Sequence, residues 1–513
     1  MLIRTAVKSV TSAARLWIYL MLFGLIACSS FPEQTPLSPS FQLPPATNSP
    51  LAHYLADELM QHPDDTGVLP LYSGVDAFVA RLAIIDAAQS SIDLQYYIYH
   101  DDETGRLLSW HLIDAANRGV RIRVLLDDLT TQTLDDALSI LAQHPNIEIR
   151  LFNPNSERNF RGIAMLAGLS RLNHRMHNKS LTVDNLATIL GGRNVGNEYF
   201  SKNSEVDFGD FDLLTIGRAV KQVSDEFDLY WNSQVVQSIN NLVPAADKEK
   251  QALAMQRLAK RKAEFAHDEY LKRLELSQLL QQIKQHGISW YWGKAELFYD
   301  PPEKAKNAQR EDWLLSDLKV FLSQAKQEVV IISPYFVPTA AGCQVLIDAV
   351  KSGVAVTVLT NSLSATDVLA VFAGYKAYRQ RLVENGVTVY EVKANNEHRI
   401  SAWKGSSRSS LHAKTFVIDK RAVFVGSFNF DPRSALINTE MGLTIEQAEF
   451  AQDISQLLQQ ALTRNSYRLA LEGGQLIWRD ELDGKLYYAD PDTSFWQRFM
   501  ADLIGLLPIE SQL

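Results

Sequence analysis

His177-Asn178-Lys179-Ser180-Leu181-Thr182-Val183-Asp184 and His412-Ala413-Lys414-Thr415-Phe416-Val417-Ile418-Asp419 share one pattern, 235 residues apart: a histidine, a lysine two residues on and an aspartate five further. The agreement extends beyond the motif. Gly191-Gly192-Arg193-Asn194 follows the first copy and Gly426-Ser427-Phe428-Asn429 the second, so each asparagine lies 17 residues after its histidine. Residues two apart on a strand face one side, so each copy is expected to present its imidazole and ammonium together, with apolar residues facing away. After a turn, the small Gly/Ser pair lets a second strand bring the asparagine to the same point. Paired lysine and amide donors suit the non-bridging oxygens of a phosphodiester. A single match of this length carries little weight; two at equivalent places in a repeat make chance a poor account.

The repeat organises the rest of the chain. In the first half, Val75 to Ala88 reads as a helix, Ser91 to Ile98 as a strand, Leu107 to Asn117 as a helix, and Val120 to Leu126 and Ile147 to Phe152 as strands. The order returns as a helix over Leu318 to Ala325, a strand over Val329 to Ile332, a helix over Gln344 to Lys351 and strands over Val354 to Leu359 and Val387 to Val392. Strands alternating with helices predict a parallel α/β sheet in each half. The expectation is therefore an α/β protein of two duplicated lobes, packed about a pseudo-twofold axis with the active site between them. The expected divisions are a lipoprotein signal peptide at 1–28, a Pro-rich linker at 29–50, lobes at 51–235 and 296–460, a helical insertion at 236–295 and a C-terminal extension at 461–513. Lys248 to His286 mixes Lys, Glu, Gln, Ala and Leu, which reads as one or two surface helices.

A chain of 513 residues exceeds one compact core, and 46% apolar with 21% charged residues is an ordinary globular mixture. The net charge of −9 speaks against broad nucleic-acid binding, which needs a basic face. Two cysteines, Cys28 and Cys343, cannot build a disulfide framework or a cysteine zinc site.

Arg4, Lys8 and Arg15 precede the apolar run Leu16 to Ala27, which is shorter than the roughly 20 residues of a spanning helix. The run ends Leu25-Ile26-Ala27-Cys28 and resembles a bacterial lipoprotein signal. That resemblance implies a lipidated Cys28 facing the periplasm of a Gram-negative cell. With Ser29 and Ser30 rather than Asp after it, it implies the outer membrane. Pro32, Pro36, Pro39, Pro44, Pro45 and Pro50 read as an extended spacer between anchor and body.

The duplicated motif, with its extensions, resembles the phospholipase D superfamily over about residues 70 to 460. The resemblance implies a covalent mechanism needing no metal or cofactor, in which one histidine attacks phosphorus and the other moves the proton. By analogy His177 is the nucleophile and His412 the acid/base, with Lys179 and Lys414 beside them; the two motifs alone do not order them. Asp184 and Asp419 are expected to brace the motif from behind, and Asn194 and Asn429 to hold phosphate. An orienting carboxylate is expected on a later strand: Glu440 fits that place in the second lobe and Asp210 in the first, with Asp212 as a rival. Tyr96, Tyr97 and Tyr335 end core strands facing the expected cleft, where they can wall it or pack in the core, and His174, which has no duplicate, reads as a surface residue.

Asp93 to Ile98, Arg171 to Ser180, Gly191 to Phe200 and Leu507 to Glu510 are similar to bacterial cardiolipin synthases of the C type. This implies phosphatidyl transfer to phosphatidylglycerol with phosphatidylethanolamine as donor, a membrane setting and no nucleic-acid partner. A phospholipase D hydrolase releasing phosphatidic acid and a metal-independent nuclease are the alternatives within the superfamily. Phe495, Trp496, Phe499, Met500, Leu503, Ile504 and Leu507 have helical spacing, fit to pack on the body or lie in a membrane interface. Cys28→Ala is expected to end incorporation of radiolabelled palmitate into the protein, and label that persists would exclude Cys28 as the lipidation site.

Overall fold

A computed structural model describes residues 36–131, 133–155, 158, 169–202, 207–265, 268–306, 313–394 and 409–513. Cys28 and the apolar run before it lie outside the described residues. After helix α1 (Pro50–Gln61), the first lobe runs β1 (Thr66–Leu71), α2 (Gly74–Ala87), β2 (Ser91–Tyr96), α3 (Glu103–Asn117), β3 (Arg121–Asp127) and β4 (Ile147–Phe152). It continues with β5 (Ser180–Val183), β6 (Ala187–Gly191), β7 (Asp207–Gly209), β8 (Asp212–Gly217), α4 (Arg218–Trp231) and β9 (Val236–Ser238). Three helices follow, α5 (Lys248–Phe265), α6 (Glu269–Glu275) and α7 (Gln278–Lys284). The second lobe repeats the order as β10 (Tyr291–Tyr299), α8 (Leu314–Ser323), β11 (Glu328–Ile332), α9 (Thr339–Lys351), β12 (Ala355–Asn361), α10 (Leu369–Glu384) and β13 (Thr388–Val392). Then come β14 (Ser409–Leu411), β15 (Thr415–Ile418), β16 (Ala422–Gly426), α11 (Pro432–Leu436), β17 (Met441–Glu446), α12 (Ala448–Asn465) and β18 (Ser466–Glu472).

Strand order in the first lobe is β9-β4-β3-β2-β5-β6-β8-β1, and in the second β18-β13-β12-β11-β15-β16-β17-β10. Within each eight-stranded order only three neighbouring strands, β4-β3-β2 and β13-β12-β11, are parallel and the other pairings are antiparallel, while β7 and β14 pair in parallel across the lobes. The sheets are therefore mixed rather than parallel throughout. Helical crossovers impose parallel pairing on β2 to β4, whereas β5 and β6 are joined by a tight turn that imposes antiparallel pairing. That turn holds the motif's aspartate. Asp184 and Asn185 lie at φ 52° and 57°, and Asp419 and Lys420 at φ 51° and 48°. Both central residues are left-handed, the geometry of a type I′ hairpin. From the turn, Asp184 accepts the backbone N–H groups of Gln89, Ser90 and Ser91, and Asp419 those of Lys326, Gln327 and Glu328. Each aspartate thus ties its hairpin to the start of the neighbouring parallel strand.

The lobes join edge to edge, with β1 antiparallel to β10 through Thr66↔Gly293, Gly67↔Trp292 and Val68↔Tyr291. The second repeat's first strand thus begins at Tyr291 and runs across the expected boundary at 296. Each lobe keeps its own outer core, and a third cluster packs the lobes together, with Leu190 and Leu213 of one meeting Val417, Val425 and Leu443 of the other.

Two regions differ from expectation, and the C-terminal run keeps its expected helical form. The Pro-rich stretch is not a free spacer where it is described. Arg123 and Arg150 donate to the carbonyls of Ser40 (2.8 Å) and Ser38 (3.0 Å), and Ser40 N–H donates to Asn232 (3.0 Å), strapping it to lobe 1. Residues 248–284 form three helices rather than one or two, because Asp268 and Ser277 cap new starts. The last two bury Tyr270, Leu274 and Leu279 on lobe 1. The C-terminal run forms helix α13 (Phe495–Gly505), which packs on α10, buries only Ala501, and leaves Phe495, Trp496, Phe499, Met500 and Leu503 exposed. Asp184→Ala would strand the N–H groups of Gln89, Ser90 and buried Ser91 and is expected to lower unfolding stability by about 3 kcal/mol, measured by urea denaturation; a loss well under 1 kcal/mol would deny Asp184 its bracing role.

Candidate active site

His177 and Lys179 lie on the extended lead-in to β5, one residue short of its first ladder pair, and His412 and Lys414 stand likewise before β15. The lead-in pairs instead with the opposite lobe. His177 N–H donates to Thr439 O (2.8 Å) and His412 N–H to Gly209 O (2.8 Å). Thr439 and Gly209 each precede one of the candidate carboxylates, so this backbone register carries the carboxylate across. Glu440 Oε2 lies 2.8 Å from His177 Nδ1, and Asp210 Oδ2 lies 2.5 Å from His412 Nδ1. Both expected carboxylates meet imidazoles, but the pairing is crossed: each lobe's carboxylate holds the other lobe's histidine. Asp212 turns away and is bound by buried Arg81 at 2.9 Å.

The crossed pairs differ in size and support. Glu440 is held by Ser434 Oγ (2.8 Å), by Ser427 Oγ and, through its N–H, by Asp300 (3.0 Å). At the matching position in lobe 1, Gly192 leaves room for Asp210; a Cβ there would come within 2.1 Å of Asp210 Oδ1. Lys179 Nζ bonds His177 O at 2.5 Å, and Lys414 Nζ lies 2.9 Å from His412 Nδ1. All four are buried, with only 8% of His177 and 6% of His412 exposed.

Burial dominates the electrostatics. It lowers both histidines, with Lys179, Lys414 and His412 adding at His177, and Lys414 at His412. It brings Lys179 down to about 7 and lowers Lys414. Burial alone would raise both carboxylates. At Asp210 it is overcome by His412 and Lys414, which hold the group well below the usual range. At Glu440 it wins, pushing the carboxyl up to about 7 against Lys179 and the two serines. Both rings thus give up a proton more readily than a free imidazole, His177 most of all, and their Nδ1 atoms face carboxylates, which favours Nε2 as the reacting nitrogen. Two ammoniums lie at hand for an anion. This set can attack phosphorus, shuttle a proton and neutralise phosphoryl oxygens.

The remaining expected residues divide. Asn194 accepts from Ile98 N–H (3.2 Å) and donates to Tyr199 Oη (2.9 Å), so much of its amide serves the loop, while buried Asn429 Oδ1 has no hydrogen-bond partner among the described residues. His174 is not a surface residue: half-buried, it meets Ile437 O of the other lobe at 2.8 Å. Tyr96 is fully buried with Arg81 (3.0 Å), and Tyr335 donates to Asp367 (2.7 Å). Two rings wall the site, and of these only Tyr199 was missed. Tyr97 stands edge-on to His177 at 5.1 Å and Tyr199 to His412 at 5.4 Å. Tyr97's place at the end of β2 was the available signal; Tyr199, five residues after Asn194, has no duplicate to point to it.

Residues 82–231 and 318–462 match the family model described as "Cardiolipin synthase, PLD-like domain". Cardiolipin synthase C of Escherichia coli is 41% identical over 458 residues, 88% of this chain and 97% of that one. An uncharacterized protein of Helicobacter pylori is 32% identical over 500 residues, 96% of this chain and 98% of that one. Among solved structures, a phosphatidylserine synthase of Haemophilus influenzae aligns with a TM-score of 0.56 at 13% identity, covering 90% of this chain and all of that one, a likeness of fold alone.

A lysine brought to about 7 is largely neutral at pH 8 and regains its proton beside an anion. Sulfate binding at pH 8 is therefore expected to take up close to one proton, read by calorimetry in buffers of different ionisation enthalpy. Lys179→Met should remove most of it, and no uptake in the unaltered protein would contradict the lowered lysine.

Proposed function

The chain belongs to the phospholipase D-like cardiolipin synthase family, and from that premise we propose that it forms cardiolipin by moving a phosphatidyl group from phosphatidylethanolamine to phosphatidylglycerol. It is a phosphatidyltransferase. The observation that carries the mechanism is the crossed pairing of two histidines with two carboxylates beside two buried lysines.

His177 attacks. Burial and the neighbouring cations keep its imidazole neutral, and its partner Glu440 is raised to about 7. His412 carries the proton: it enters the first half protonated, since Asp210 beside it stays ionised and pulls the ring toward its charged form against burial and Lys414. In the first half, a bond forms from His177 Nε2 to phosphorus and the bond from phosphorus to the ethanolamine oxygen breaks. His412 gives that oxygen its proton. In the second half, His412 takes the proton from a hydroxyl of phosphatidylglycerol, the oxygen attacks phosphorus, and His177 leaves. Lys179, Lys414 and Asn429 face the phosphoryl oxygens, whose charge grows in each transition state. One phosphodiester replaces another, so the exchange requires no nucleotide.

The enzyme works at a membrane face. A lipidated Cys28 holds it in the outer membrane, facing the periplasm of a Gram-negative envelope, and the aromatic face of α13 rests at the lipid interface. Its net charge of −9 agrees with a lipid rather than a nucleic-acid substrate.

Mass spectrometry of lipids from cells overproducing the protein should show cardiolipin rising; phosphatidic acid rising instead would mean that water, not lipid, takes the phosphatidyl group. His177→Ala and His412→Ala should each lower transfer by roughly a thousand-fold or more without unfolding the protein. With ³²P-labelled donor, the unaltered protein denatured during turnover should carry label on His177, and label recovered on another residue would reverse or overturn the assignment.

A further inference from the structure

The two lobes are built alike but filled differently. In lobe 1 the space between α2 and α3 is closed by aromatic rings. Phe78 lies 4.7 Å from Phe200 and 6.1 Å from Tyr270, and Trp110 lies 5.8 Å from Phe265. Phe265 and Tyr270 come from the inserted helices α5 and α6. In lobe 2 the equivalent helices are α8 and α9. At the repeat offset Phe200 is replaced by Ala435, and one residue further off Trp110 is replaced by Leu346. No inserted helix covers the face among the described residues. What remains is an apolar groove of about 530 Å³, floored by Val356 and Phe416 and rimmed by exposed Val345 and Leu436. Ligand pockets generally run from about 300 to 1,000 Å³.

The groove borders the catalytic machinery. Phe428 and Phe430, on either side of Asn429, both line it. One helix divides groove from site: Ser434 of α11 holds Glu440 at 2.8 Å, while Pro432, Ala435 and Leu436 of the same helix wall the groove. An occupant here lies one helix away from the attacked phosphorus, and its surface must be apolar.

We propose that this groove holds an acyl chain of the phospholipid whose phosphate sits between the histidines, an inference that rests on the phosphatidyl-transfer reading. Lobe 1 fills the same slot with its own side chains, so the chain is taken up on the lobe 2 side only. The lipid is thereby given one direction across a nearly symmetric pair of histidines.

The test uses the full protein with vesicles of phosphatidylglycerol and phosphatidylethanolamine carrying a diazirine near the end of one acyl chain. Photolabelling should fall on the groove walls, residues 315–349 and 428–436. Leu346→Trp and Ala435→Phe, which restore the residues of lobe 1, should cut that labelling at least five-fold. Leu346→Trp should also raise KM for long-chain lipid about ten-fold, with turnover of a water-soluble phosphodiester lacking acyl chains unchanged. Labelling elsewhere, or unaltered KM and labelling in both variants, would overturn the proposal. The labelling is repeated in His177→Ala, which performs no chemistry. Groove labelling without cardiolipin formation by the unaltered protein would defeat the transfer reading but not acyl binding, and transfer without groove labelling would defeat only the acyl site.

Discussion

Neither lobe completes its own histidine. The bond from His177 N–H to Thr439 O, and its mate from His412 N–H to Gly209 O, decide which carboxylate each imidazole meets. Everything at the site follows from that register. Two lysines, two imidazoles and two carboxylates are nearly shut off from water, and burial of such charges is tolerable only when each has a partner. Breaking a buried pair by removing one member leaves the other uncompensated, typically at a cost of about 3–5 kcal/mol. The joined edge of β1 and β10 and the shared apolar cluster between the lobes hold that register in place.

The symmetry of the pair is incomplete, and chemistry uses the difference. Lobe 2 supplies a glutamate propped by two serines, while lobe 1 supplies a shorter aspartate against a glycine. The longer side chain is shielded enough for burial to raise it, whereas the shorter one lies under two cations that keep it ionised. Two nearly identical motifs are thereby given different electrostatic surroundings, a distinction made by carboxylates 200 or more residues away in sequence.

Much of this was legible in the amino acids. The histidine, lysine and aspartate spacing, read twice at one offset, gave both halves of the site and the duplicated α/β architecture. Asp210 over Asp212 was legible too, from the match of Leu213 with Leu443. The crossed pairing was not, since it depends on a backbone bond between residues 262 apart, and no local pattern states which lobe receives a carboxylate. The strands that join the lobes were equally hidden: Thr66–Leu71 contains Gly67 and Pro70, and Tyr291–Tyr299 falls on a composition boundary. The strapped proline segment is held by Arg123, Arg150 and Asn232, polar residues that pass for ordinary surface until their partners are seen.

The exchange of carboxylates between lobes also sets a timetable. A growing polypeptide that has made everything through residue 400 owns His177, Lys179 and Asp210, yet the group that orients His177 is still to be synthesised at position 440. Such a chain lacks both that carboxylate and the whole second histidine, lysine and aspartate motif. The crossed site is complete only once residue 440 of 513 has joined the chain, so neither half can assemble it alone.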